Sequence, residues 1–240
     1  MTPGRQAILA LVAVAAALAG AVAAVDFIGK SSRIAGPGHP VRAGAPVVTV
    51  ASAEEAFRLW KRRGLHGRIV VSLSSRLYFV EPEVELSSLF DEAGRVVDPA
   101  EVAERSLGPM NFLWMALERG IARELRHVLP EPVFAEKAAS ILGDPLVEEG
   151  HDAIRAPYLG SPRLLTTLGG LGATSEPVLL FVSASFFANR SAPDVARRLE
   201  SLGLRTDLVV LCRSLDDPEV TPLQRASLEQ LAVLLGAAAQ

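Results

Sequence analysis

Short runs of unbroken apolar residues alternate with amphipathic stretches along the last three quarters of the chain. Val47–Val50, Ile69–Leu73, Pro177–Ser185 and Asp207–Arg213 each read as a strand, the last two as buried apolar runs. Between and after them, Ala53–Arg63, Ala192–Leu202 and Thr221–Leu235 carry apolar positions at helical spacing, with Ala56, Phe57 and Trp60 on the inner face of the first. Continuous strands alternating with helices predict an α/β fold, a mostly parallel sheet flanked by helices.

Helix starts are written clearly. Ser52 with Glu55, Asp98 with Glu101, and Thr221 with Gln224 place a capping oxygen three residues before a group that reaches back to the cap amide. Pro99 and Pro222 stand at first helical positions, where a missing N–H costs nothing. Between the second and third strands the pattern turns helical. Pro99–Arg105, a long helix over Pro109–Leu129 with Leu113, Leu117, Ile121, Leu125 and Val128 on one face, and Val133–Leu142 are expected there as a helical insertion. Arg119, Arg123 and Arg126 then form a solvated stripe on the opposite face of the long helix. Leu77–Val80 reads as a short strand, and Leu86–Phe90 with Arg95–Val97 as strand and turn. Leu146–Glu176 reads as an irregular loop with a helix around Arg163–Leu168.

The first thirty residues follow another logic. Ala7–Val25 is a 19-residue run without a charge, ten of them Ala, and about 20 apolar residues cross a hydrocarbon core. A cleaved secretory signal is the competing reading, since Arg5 and Ala21-Val22-Ala23 supply its basic start and small-x-small end. The run exceeds the usual length of a signal's apolar core, which favours an uncleaved transmembrane anchor. Lys and Arg flank it on both sides, so the orientation, bulk outside, rests on the resemblance of a basic start and apolar run to a signal sequence. The expected organisation is an anchor over 1–30, a Gly/Pro-rich tether over 31–46 and an α/β globular domain over 47–240. The location expected is the cell membrane, single-pass, with secretion after cleavage as the alternative.

Composition narrows the partners. Among 240 residues, 50% are apolar and the net charge is -3, a near balance that lacks the basic footprint of nucleic-acid binding. The partners expected are the bilayer, through residues 7–25, and another envelope protein.

Candidate chemistry comes from topology, because ligands of open parallel sheets sit at the carboxyl ends of the strands. That rule selects Ser74, Ser75 and Arg76 after one strand, Ser185, Asn189, Arg190 and Ser191 after another, and Cys212, Arg213, Ser214, Asp216 and Asp217 after a third. Hydroxyls, an amide and guanidinium groups together suit a small anion or carboxylate, while the same residues also make ordinary caps and turns. His151 and Asp152, with Glu148 and Glu149 upstream, concentrate titratable groups in the irregular loop. Ser185 is followed by Phe186 and not by the glycine of a nucleophile elbow. No zinc motif occurs, and Gly169-Gly170-Leu171-Gly172 stands ahead of a strand and does not open a helix. Cofactor and metal are therefore both expected to be absent. Ligand-binding candidates are Ser185, Asn189, Arg190, Cys212, Arg213, His151 and Asp152. The function expected is binding or assembly within an envelope complex, and the alternative is an envelope hydrolase or transferase with its site at the strand ends.

Overall fold

The computed structural model describes residues 38–41, 44–82, 95–141, 147–150, 152–158 and 160–236, all within the unit Ala35–Gln240. The proposed anchor, most of the tether, Leu86–Phe90 and His151 lie outside the described residues.

Among the described residues, nine strands form one sheet. They are β1 (His39–Pro40), β2 (Val47–Val50), β3 (Arg68–Leu73), β4 (Ala122–Leu129), β5 (Glu148–Glu149), β6 (Ala153–Arg155), β7 (Arg163–Thr167), β8 (Val178–Ser183) and β9 (Arg205–Cys212). Across the sheet the order is β5-β6-β7-β4-β3-β8-β9, and the far side of β9 is shared by β1 and β2. The six strands β2, β9, β8, β3, β4 and β7 are parallel, whereas β1, β6 and β5 pair antiparallel. The fold is α/β with a mixed sheet.

Among the described residues the helices are α1 (Glu54–Arg62), α2 (Pro99–Arg105), α3 (Phe112–Glu118), α4 (Glu131–Ile141), α5 (Ala192–Ser201) and α6 (Pro222–Leu234). α1 places Glu54 and Glu55 in its first turn and Lys61 and Arg62 in its last, the arrangement the helix dipole favours. The Ser191 hydroxyl accepts from the Asp194 amide at the start of α5, and Thr221 and Gln224 cap α6 reciprocally. No helix among the described residues is long and apolar enough to cross a membrane.

Period two along the strands sorts side chains to two faces. Val71, Leu180, Val182, Val209 and Leu211 meet α5 and α6 on one face. Val70, Leu125, Leu179, Phe181 and Val210 meet α1, α2 and α3 on the other. Phe112 of α3 lies 4.9 Å from Phe181 and 5.9 Å from Trp60 between ring centroids, so the aromatic rings join helix to sheet.

The structure corrects several expectations. The long helix over Pro109–Leu129 is instead a 3-10 turn (Pro109–Asn111), α3, and then β4. Gly120, at φ 63°, ends the helix in a left-handed turn that favours glycine. Burial on both faces of β4 puts apolar residues at spacings that also satisfy a helix, and the stripe dissolves with it. Arg119 pairs with Glu104 and Asp98, Arg123 with Glu176, and Arg126 with Glu124. The helix expected around Arg163–Leu168 is β7, and Leu77–Val80 belongs to no strand. At the upstream end, β1 pairs with β9 and the side chains of Val41 and Ala45 are buried in the core, so structured packing extends upstream of Val47.

Candidate functional site

β3 sends the chain to β4 on one side, while β8, on its other side, leads to β9. This reversal opens a crevice at the carboxyl ends of β3 and β8, the place where open α/β sheets bind ligands. Serines spaced two apart converge there from three strand ends, because that spacing puts both on one face: Ser72 and Ser74, Ser183 and Ser185, and Cys212 with Ser214.

Ser183 is the hub. Its Oγ lies 2.8 Å from Ser185 Oγ, 2.9 Å from Ser214 Oγ and 3.2 Å from Tyr78 OH, and it accepts from the Ser185 amide at 3.2 Å. Ser74 Oγ lies 3.1 Å from Ser185 Oγ and accepts the Arg76 amide at 3.0 Å, while Ser185 Oγ accepts the Ser75 amide at 3.2 Å. Ser74, Ser183, Ser185, Ser214 and Tyr78 are all buried. A hydroxyl offers one donor and two acceptor positions, so the cluster satisfies itself.

The thiol and phenol are quiescent. Burial pushes the Cys212 thiol up to about 11, and its Sγ lies 3.5 Å from Ser214 Oγ. Burial also raises the Tyr78 phenol above its ordinary value. A thiol of that pKa stays protonated at neutral pH and is a poor nucleophile. No histidine or carboxylate hydrogen-bonds to the clustered hydroxyls among the described residues.

Above the cluster lies a cleft of about 230 Å³, lined chiefly by Tyr78, Pro109, Met110, Ser214, Asp216 and Pro218. Arg76 closes one side. Its Nε and Nη2 donate to Asp217 at 2.7 and 3.1 Å, and Nη2 also donates to Glu219 at 2.8 Å. The Arg76 hydrogen bond holds the Asp217 carboxyl below the usual carboxylate range, and the same bond raises Arg76. From behind, Arg225 donates to the carbonyls of Arg213, Ser214 and Asp217, fixing the loop between β9 and α6.

Two features mark the cleft. Among the described residues, Tyr78 (φ 52°) and Ser214 (φ 49°) are the only non-glycine residues with positive φ, a conformation costing about 1 kcal/mol or more each and concentrated at functional sites. Both line it. Exposed apolar side chains adjoin it: Met110, in its lining, is 43% exposed, Val80, whose amide donates to the Met110 carbonyl at 3.0 Å, is 52% exposed, and Leu215, between the lining residues Ser214 and Asp216, is 57% exposed.

Of the sequence candidates, Ser185 and Cys212 join the cluster. Asn189 is exposed at the end of the 3-10 turn Ala184–Ala188, and Arg190 pairs with Glu131 of α4. Arg213 turns its side chain to Glu229 at 3.5 Å. Asp152 sits across the sheet, where its carbonyl accepts the Thr166 hydroxyl at 2.7 Å. The sequence pattern reads Ser183 and Tyr78 as strand residues and gives Met110 no role, and the signal it carries for the cluster is the alternate-residue spacing of the serines.

Gly169-Gly170-Leu171 follows β7 and turns carbonyls to Arg198, which binds those of Leu168, Gly169 and Leu171. No group of three His, Cys, Asp or Glu among the described residues is placed to hold a metal ion. A larger concavity of about 470 Å³ lies at the opposite end of the strands, between α1 and α2. Its Glu104 pairs with both Lys61 and Arg119, so those three charges are engaged through one shared carboxylate and not with the open space. The smaller cleft is the candidate site. No protein-family model matches the chain, and no characterised protein matches it significantly.

Proposed function

We propose that this chain is a membrane-anchored, extracytoplasmic α/β module that binds another envelope protein, with the cleft at the carboxyl ends of β3 and β9 as its point of contact. The observation that carries this reading is a hydroxyl cluster saturated by itself beneath a small cleft lined by Met110, with exposed Val80 and Leu215 next to its lining residues. Binding needs a shaped, partly apolar surface with a few fixed polar groups. Nucleophilic turnover needs an activated nucleophile beside a base. The cleft offers the first, and its serines and thiol are engaged away from the second. The anchor is carried by the uncharged run Ala7–Val25.

Site-specific photo-crosslinking in intact cells tests both halves. A crosslinker at Met110 is expected to give a discrete heterologous adduct in the membrane fraction, whereas one at His66, in the opposite concavity, gives none. Chain extracted by alkaline carbonate would remove the anchor. Equal labelling from both positions would remove the contact site.

A further inference from the structure

The volume of the cleft sets the scale of what enters it. Pockets for small organic ligands span about 300–1,000 Å³, and at about 230 Å³ this one falls below them. It suits a single anchor side chain of the kind that dominates protein interfaces, where arginine is enriched.

Charge selects among anchors. Arg76 is bound by Asp217 twice and by Glu219 once, so two carboxylates already offset its one charge. Asp216 also lines the cleft, is exposed, and makes no hydrogen bond or ion pair with the described residues. Asp216, Asp217 and Glu219 against the guanidinium groups of Arg76 and, behind the loop, Arg225 leave an excess of one negative charge, which attracts a cation and repels an anion. Tyr78, Pro109, Met110 and Pro218 give the walls an apolar body, along which the stem of a long basic side chain packs while its head meets acceptors.

We propose that the cleft receives one arginine or lysine side chain presented by an apolar segment of the partner protein, with Asp216 accepting from its cationic head and Val80, Met110 and Leu215 packing against the flanking residues. This rests on the binding function proposed above and adds the chemistry of the partner. The small anion or carboxylate suggested by the strand-end residues does not fit this charge balance.

The test uses the full-length chain in detergent and fluorescein-labelled peptides Gly-Leu-Ala-Xaa-Leu-Ala-Gly, with Xaa as Arg, Lys, Gln or Glu, followed by anisotropy. The Arg and Lys peptides are expected to bind at least tenfold more tightly than the Gln and Glu peptides, with the advantage shrinking as salt rises. Asp216→Asn is expected to erase most of that advantage while leaving the Gln peptide unchanged, and Leu215→Ser to weaken all four. Asp216 and Leu215 are exposed, so both variants retain the fold, checked by the melting temperature. Equal affinity for the Arg and Glu peptides, no binding by any peptide at millimolar concentration, or an unchanged preference in Asp216→Asn would overturn the proposal. Free arginine amide binding as tightly as the Arg peptide would also overturn it and mark a small-molecule site. An adduct at Met110 in cells without charge preference in the peptides sinks the basic anchor alone. Loss of both sinks the binding function too.

Discussion

At the amino ends of β3 and β9, Arg68 Nε and Asp207 Oδ2 stand 2.5 Å apart with side chains 13% and 15% exposed, and nearby Lys61, Glu104 and Arg119 pair in turn. At the carboxyl ends of β3, β8 and β9 the buried layer is built of neutral groups, Ser74, Ser183, Ser185, Ser214, Tyr78 and Cys212, with Ser72 and His127 a step below them, and one ion pair, Arg76 with Asp217, stands beside it. The two ends face the same difficulty, polar groups in a buried parallel sheet, and resolve it differently. Opposite charges draw together and lock, whereas hydroxyls share protons in a network that tolerates strain at Tyr78 and Ser214. The carboxyl end keeps an open cleft above its hydroxyl layer, and the ion pair there, Arg76 with Asp217 and Glu219, stands at the side of that cleft.

The contrast breaks hardest at the charged end. Asp207→Ala strands the Arg68 guanidinium, and urea unfolding is expected to show a loss of about 2–3 kcal/mol, part of it recovered when Arg68→Leu is added. The next effect belongs to His127. Its imidazole is 1% exposed, neither nitrogen has a partner, and burial and then the Arg163 charge lower it to about 3. The unfolded chain takes up a proton as pH falls below about 6.5 while the folded chain does not until about 3, so stability drains between those values. Between pH 7.5 and pH 5 the wild type is expected to lose about 2 kcal/mol more than His127→Leu. Equal slopes would show that the imidazole titrates normally.

Within the hydroxyl network the expected cost is smaller. Ser183→Ala removes the shared hub, and its neighbours re-pair in part, for a loss of about 1–2 kcal/mol by urea titration. A loss near zero would mean that the network is incidental. Least of all in energy is the thiol: with Cys212 near 11, only about a thousandth is thiolate at pH 8. Iodoacetamide is expected to label the native chain at least a hundredfold more slowly than the urea-unfolded one. Fast labelling would expose Cys212 to solvent and weaken the picture of a sealed carboxyl end.

Much of this was legible in the chain. α1, α5 and α6 begin within two residues of their expected starts, and at α5 and α6 the caps act locally, Ser191 and the Thr221–Gln224 pair; at α1 the N-cap is Ala53, without a side-chain cap, and Ser52 instead donates to Glu55. β8 and β9 declared themselves by unbroken apolar runs. β4 and β7 did not, since residues 121–129 and 163–168 carry polar side chains such as Arg126, His127 and Thr166 in a sheet interior, and their apolar spacing fits a helix equally well. The strand-end rule found Ser74, Arg76, Ser185, Ser214 and Asp217, since topology alone locates those. It overreached at Asn189 and Arg190, whose placement depends on how the 3-10 turn directs the chain toward α4, and that is a tertiary fact.

Arg225 brings a consequence of another kind. One guanidinium holds the carbonyls of Arg213, Ser214 and Asp217 in the segment after β9, and the Leu215 amide donates to the Ala51 carbonyl, so that segment's path is held without the side chains of Leu215 and Asp216. Shape and specificity are thereby uncoupled: those two positions are free to vary without moving the main chain, and a lineage or an engineer is able to retarget this edge of the molecule by exchanging two residues.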